Sequence, residues 1–331
     1  MRIAIVSDAW HPQVNGVVRT LHTTASHLRT FGHSVEMVTP QDFRTLPCPT
    51  YPEIRLALAP SRQLSRRLDA FAPEAVHIAT EGPLGHAAHR WCRRRNKRFT
   101  TSFHTQFPEY LRLRAPVPIT WTYAYLKRFH GAAVSTLVPT PSQRQRLADR
   151  GFRNLLIWSR GVNTEVFNAA DRFEYDLPRP IHIYMGRVAV EKNIEAFLSL
   201  RLAGSKVVIG DGPDLDKLRS RYTDAYFVGA KFDRELAAHL AGGDVFVFPS
   251  RTDTFGLVML EAMACGLPVA AYPVQGPIDV IAHERSGVLH QNLESAIAGA
   301  LSLNRTDCIA HARKFSWAET TRGFEGALVP N

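Results

Sequence analysis

The chain has 331 residues, 45% hydrophobic and 21% charged, a composition that suits a soluble fold large enough for two cores. No apolar run approaches the roughly 18 to 20 residues that span a bilayer, and the opening MRIAIVSDAW lacks a signal peptide's charged, apolar and small-residue layout. The formal net charge of +10 is uneven: residues 1–170 hold 23 Lys and Arg against 10 Asp and Glu, residues 171–331 hold 17 against 20, so the first half suits an anionic partner.

RIAIVSD opens the chain as a strand. SDAWHPQVNGVVRTL then leads into a helix whose stripe Val17, Val18, Leu21, Leu28 and Phe31 closes at Gly32. Gly16 stands at that helix start. It is either a turn glycine or a place where backbone N–H groups approach an anion. HSVEMVTP, EAVHIAT, RFTTSFHT, STLVPT and NLLIWSRG read as further strands, most followed by helical stretches. His104 ends one of them. A lone histidine is ordinarily structural, but a strand end makes it a site candidate.

Between these strands GHAAHRWCRRRNKRF sets Arg90, Arg93, Arg94, Arg95, Lys97 and Arg98 around Trp91. EYLRLRAPVPITWTYAYLKRFH interleaves Tyr110, Trp121, Tyr123, Tyr125 and Phe129 with cations. Cations among interfacial aromatics suit a monotopic contact with an anionic membrane. They also suit nucleic acid, or a solvated basic helix beside a core helix.

NAADRFEYDLPRP, residues 168–180, is polar and twice proline-bearing, and marks the domain boundary. The expected domains are 1–172 and 173–331, with the last helix packing back on the first. In the second half IHIYMGR, KVVIGDG, AYFVGA, DVFVFPS, LPVAAYPV and SGVLH read as strands. Near-continuous apolar strands alternating with helices imply parallel sheets covered on both faces. Twelve strands are many for one sheet. The expected fold is therefore α/β, with two doubly wound Rossmann-like domains facing across a cleft and chemistry at the strand ends.

Arg187 and Lys192 follow the first strand of the second half, spaced to hold a diphosphate or to form a solvated pair with Glu191. Asp214 and Asp216 spell D-x-D. They read as first-turn helix acids rather than Mg²⁺ ligands. In SRTDTFGLVMLEAMACG, Thr254, Phe255 and Gly256 turn into a helix. Asp253 before them is an N-cap or a contact for sugar hydroxyls. Glu261, set among Leu, Val, Met and Ala, is costly to bury without a partner, and a ribose diol would supply one. Cysteines 48, 92, 265 and 308 lack metal-ligand spacing and read as reduced thiols of a cytosolic protein.

HPQVNGV, FHT, GRVAVEKN, GDGP, DVFVFPSRTDTFGLVMLEAMACGLPV and GPIDVI together resemble the retaining glycosyltransferases of family 4, which have the GT-B fold. The resemblance covers nearly the whole chain. The family's signature is Glu, seven residues, Glu. Here Asp253 takes the first place, one methylene shorter, and Glu261 the second. The resemblance implies that Asp253 faces donor-sugar hydroxyls and Glu261 the ribose. Thr254, Phe255 and Gly256 would meet sugar or phosphate, and Arg187 and Lys192 the diphosphate. Gly16 would close on it from the other domain, and His104 would lie near the reacting carbon. Val228 and Gly229 would read the base through their backbone. No cofactor and no metal is implied, and a UDP-sugar is expected before GDP-mannose.

The layout looks most like the branch that glycosylates diacylglycerol-type lipids, including sulfolipid synthases. The expected location is the inner face of the cytoplasmic membrane, held peripherally by the Arg90–Arg98 cluster. The alternatives are a soluble or lipopolysaccharide-type acceptor, a nucleotide-sugar epimerase and a non-enzymatic nucleic-acid binder.

Overall fold

The computed structural model describes residues 1–13, 15–48, 51–112 and 117–331. Val14 of HPQVNGV, residues 113–116 of the aromatic and basic stretch, and the side chain of Tyr110 lie outside that description. The chain divides into two compact units, one of Met1–Arg160 with Trp317–Asn331, the other of Gly161–Ser316.

The first unit carries β1 (Arg2–Val6), β2 (Ser34–Val38), β3 (Thr45–Cys48), β4 (Tyr51–Ala57), β5 (Ala75–Ile78), β6 (Thr100–Ser102), β7 (Ser135–Val138) and β8 (Leu155–Ile157). Six of these form a sheet in the order β2-β1-β5-β6-β7-β8, and its described pairings are all parallel. The second unit carries β9 (Ile181–Met185), β10 (Ser205–Ile209), β11 (Ala225–Gly229), β12 (Val245–Phe248), β13 (Val269–Ala271) and β14 (Gly287–Leu289). Their order is β11-β10-β9-β12-β13-β14, again parallel. The twelve expected strands are these two sheets. β3 and β4, an antiparallel pair, were not expected.

Alternation along β1 shows why both faces are covered. Ala4 and Val6 pack with Leu64, Leu68 and Trp91 on one side. Ile3 and Ile5 pack with Leu21, Leu28 and Phe324 on the other. Phe324 belongs to the last helix, Trp317–Ala327, which lies with the first unit. The division between units falls at Arg160/Gly161 rather than at 172/173. Val162 and Phe167 are the reason, since both are buried in the second unit's core. The polar stretch beyond them is fastened to the same unit, with Phe173 stacked on His239 at 4.1 Å.

In each sheet the strand order reverses beside the first strand: between β1 and β5, and between β9 and β12. Loops leaving the two strands at such a point diverge and leave a crevice at their carboxyl ends.

Candidate active site

The loops after β9 and β12 are tied together at the second unit's crevice. Asn193 Nδ2 donates to the Pro249 carbonyl at 3.0 Å, and Thr252 Oγ1 to the Glu191 carbonyl at 3.3 Å. Lys192 Nζ donates to both Asp253 oxygens, at 2.6 and 2.9 Å. Two residues expected to touch different parts of a ligand thus hold each other. Asp253 is not the helix N-cap. The helix is Leu257–Ala264, its N-cap position is Gly256, and no side chain caps it. Gly256 has φ +84°, and a Cβ there would stand 2.6 Å from Met259 Cε. Phe255 and Thr254 are buried just before it. Glu261 lies in the helix's second turn and is only 3% exposed.

Arg187 sits on the loop after β9, where its carbonyl accepts from the Tyr184 hydroxyl at 2.7 Å. That loop is laid against the glycine turn after β10. Val188 N–H donates to the Asp211 carbonyl at 2.8 Å, and a Cβ on Gly210 would stand 1.9 Å from the Gly186 oxygen. Two strands along, the register slips so that Ile209 faces Gly229, and Val228 is left as a bulge. Bulges free backbone groups from the ladder and recur beside active sites. Val228 and Gly229 therefore lie roughly 10 Å from β9, two strand spacings away. Asp214 takes the N-cap position and Asp216 the first turn of the helix Leu215–Arg221.

In the first unit Gly16 is the exposed first residue of the helix Gly16–Thr30. Asn15 caps that helix, its Oδ1 accepting from Val17 N–H and Val18 N–H at 3.0 Å each. His104 is half-buried at the end of β6. Arg160 Nη2 donates to its Nδ1 at 3.2 Å, and Ser102 Oγ lies 2.7 Å from its Nε2. A guanidinium can only donate, so the neutral ring carries its proton on Nε2. Arg160 is 4% exposed, stacks over Trp158 at 4.3 Å, and is lowered to about 9 by burial. Nothing in the sequence pattern pointed to Arg160 or Ser102.

Behind His104, Ser102 Oγ also lies 3.0 Å from Nε2 of His77, which is wholly buried. Burial first, then the charges of Arg160 and His130, hold His77 at about 3. Burial, then Arg160, His77 and His130, likewise pushes His104 well below the usual histidine range. In the unfolded chain both titrate near 6.5. Below that pH the unfolded state binds protons the folded state refuses, so stability falls as pH drops from about 6.5 toward 3. Each group weakens the fold by up to about 1.4 kcal/mol per pH unit. The urea midpoint is expected to drop between pH 7 and pH 5, and less steeply in His77→Gln. A midpoint flat across that range would show that these rings are not held neutral.

The expected basic surface divides. Trp91 is 3% exposed and donates to Asp69 at 2.9 Å, so it belongs to the core and not to an interface with lipid. Arg95 pairs with Asp69, and Arg90 donates to Ser61 Oγ at 2.8 Å. Arg98 holds the chain's end, reaching the Pro330 carbonyl at 2.6 Å. Arg93 and Arg94 are exposed, and Lys97 is half-exposed. On the helix Ile119–His130, Tyr123 and Phe129 turn inward, while Trp121 stands 72% exposed and Tyr125 42%. No described helix is long and apolar enough to cross a membrane.

Residues 14–166 match the model of Glycosyltransferase Family 4, and residues 179–303 that of Glycosyl transferases group 1. A GDP-mannose-dependent alpha-mannosyltransferase of Mycobacterium tuberculosis is 31% identical, over 87% of this chain and 83% of that one. A sulfoquinovosyl transferase of Arabidopsis thaliana is 31% identical over 86% of this chain and 62% of its own length. An alpha-monoglucosyldiacylglycerol synthase of Acholeplasma laidlawii is 25% identical over 81% and 79%. Among solved structures, a sucrose-phosphate synthase from Thermosynechococcus elongatus superposes with TM-score 0.76 at 20% identity, covering 98% of this chain and 97% of that one. The fold shared with such structures is GT-B, built of two Rossmann-like domains.

Proposed function

The chain belongs to glycosyltransferase family 4, and from that premise we propose that it moves a sugar, with retention, from a nucleoside-diphosphate sugar to a membrane lipid such as diacylglycerol. The observation that carries the donor side is the meeting of Lys192 and Asp253 at the crevice between β9 and β12. When the anomeric C–O bond breaks, negative charge gathers on the diphosphate. Lys192, Arg187 and the N–H groups around Thr254, Phe255 and Gly256 receive it, as fixed donors do best in a dry site. These groups are the ground for proposing transfer without a bound metal. Glu261 takes the ribose, Asp253 the sugar hydroxyls, and Val228 and Gly229 the base. The family resemblance is the ground for proposing Gly16 and His104 as further donor contacts.

The proposed donor is a UDP-sugar. A GDP-mannose donor is the second reading, favoured by the mannosyltransferase relative. A thermal-shift panel of UDP- and GDP-sugars decides between them, and incubation of the best binder with lipid extract tests transfer.

The lipid acceptor is supported by the glucosyldiacylglycerol relative and by the exposed cations Arg93 and Arg94 on a half of the chain with net charge +13. We place the protein peripherally on the inner face of the cytoplasmic membrane. Each cation near an anionic surface contributes about 1 kcal/mol. Replacing Arg93, Arg94 and Trp121 with Ser should lower co-sedimentation with anionic vesicles by about tenfold or more. Transfer to lipid should fall with it, at unchanged donor affinity. A wild-type protein that ignores anionic vesicles at low salt while glycosylating a soluble acceptor would defeat the lipid reading.

A further inference from the structure

The first unit's crevice, between β1 and β5, is lined unlike the second's. Where such a crevice binds phosphate, the first N–H groups of the following helix are open to it. Here the helix is Pro83–Arg94, and its seat is taken. Asp8, from the end of β1, accepts from Leu84 N–H at 2.8 Å, Gly85 N–H at 3.2 Å and Thr80 Oγ1 at 2.9 Å. Asp8 is 6% exposed. Gly82 is what admits it, since a Cβ there would stand 2.4 Å from the Asp8 carboxyl carbon.

Beside Asp8, at the end of β5, stands Glu81, its side chain 24% exposed. Its Oε1 lies 2.9 Å from Nε2 of His130, a side chain with no exposure. A carboxylate only accepts, so His130 carries the proton on Nε2 and presents it to Glu81. His130 Nδ1 rests on Thr101 Oγ1 at 2.9 Å, which fixes the ring from behind. The Glu81 carbonyl accepts from Tyr125 Oη at 3.0 Å, and His86 meets the same hydroxyl. Backbone and side chain of Glu81 are both fastened, while its Oε2 has no partner among the described residues.

We infer that Glu81 receives a hydroxyl of the acceptor, and that the acceptor's reacting end is an uncharged alcohol rather than a phosphate-bearing group. This rests on the transferase reading above and names its acceptor class. An oriented carboxylate accepts well from a hydroxyl. A phosphate placed there meets Glu81 and Asp8 as like charges, and the helix N–H groups that would favour it are spent on Asp8. The phosphate-handling crevice and the hydroxyl-handling crevice are thereby assigned to different units.

The test uses the full chain, the nucleotide sugar that shifts its melting most, and matched acceptors. Glycerol is set against glycerol 3-phosphate, and dioleoylglycerol against dioleoylphosphatidylglycerol in phosphatidylcholine vesicles. The neutral member of the pair that reacts should lead in kcat/KM by at least about tenfold. Glu81→Gln keeps an acceptor for His130. It should raise the acceptor KM about tenfold, leave the donor KM unchanged and narrow the preference. Glu81→Lys should turn the preference toward the phosphate-bearing member. A wild-type preference for phosphate, or a Glu81→Gln variant with unchanged acceptor KM and preference, overturns the inference while donor turnover keeps the transferase reading standing. A protein that neither binds nor consumes any nucleotide sugar overturns both.

Discussion

Lys192→Ala is expected to reduce sugar transfer by about 100-fold or more, the scale of losing one preorganised donor to charge that develops in the transition state. Lys192 Nζ spans both oxygens of Asp253 at 2.6 and 2.9 Å, with the two side chains 22% and 16% exposed. Its removal leaves that carboxylate without this cation in a crevice proposed to receive a diphosphate. Like charge then adds to the loss of the donor. A structural salt bridge would also make Lys192→Ala harmful, so the single variant needs a companion. In Lys192→Ala with Asp253→Asn the pair is gone from both sides. If the pair only stabilises the fold, the double variant recovers stability and activity together. If the two side chains act in the transfer itself, stability returns and transfer stays lost, and Lys192→Ala alone, with the Asp253 carboxylate kept, reports the leaving group's share. Lys192→Arg keeps the charge and should retain part of the rate. EDTA should leave the wild-type rate unchanged, and loss of activity restored by Mg²⁺ would reject the metal-free reading.

Most strands of both sheets were legible as short apolar runs between turn residues, and inner strands such as β5, β9 and β12 are buried throughout, while the edge strand β8 leaves Leu156 and Ile157 exposed. β3 and β4 were not. They carry Pro47 and Pro52 and belong to neither parallel sheet, so neither apolar continuity nor alternation marks them. Trp91 was misread by weighing its cationic neighbours above its spacing. Leu84, Ala87, Ala88, Trp91 and Cys92 form one buried stripe at helical period, and that stripe was in the sequence. The same period separates inward Tyr123, Leu126 and Phe129 from outward Trp121 and Tyr125.

The candidate site's residues could be picked out by type at strand ends, but not as partners. Lys192 and Asp253 stand 61 positions apart. Only the placing of β12 beside β9, with two strands between them in sequence, brings them together. Glu81 and His130 meet likewise, 49 positions apart. Strand order is a property of topology, which no local spacing encodes. Asp8 shows the reverse difficulty. An acid at a strand end invites a catalytic reading, yet the fold uses it to fill a helix N-terminus.

Asp253→Ala is expected to abolish detectable transfer while leaving free nucleoside-diphosphate affinity unchanged or tighter. The direction follows from geometry. Asp253 is the anion now held by Lys192, so it competes with any diphosphate for that ammonium. Deleting it releases Lys192 to the phosphates, and removes the carboxylate proposed to orient the sugar. Glu261 should behave in the opposite way. It lies 3% exposed within the helix Leu257–Ala264, where a ribose diol is its proposed partner. Glu261→Gln should weaken free nucleotide and nucleotide sugar alike, by about ten- to 100-fold, the worth of one to two charge-assisted hydrogen bonds. Calorimetric titration of the free nucleotide into both variants separates the roles. Equal loss of nucleotide affinity in the two would refute the division. Asp253→Glu restores the family's acid with one more methylene. If the shorter side chain is matched to Lys192, the longer one cannot hold both contacts at 2.6 and 2.9 Å without moving. Transfer should then fall about tenfold with nucleotide affinity intact, whereas a rate equal to wild type would mean that the carboxylate's reach, and hence its hold on Lys192, does not set the chemistry.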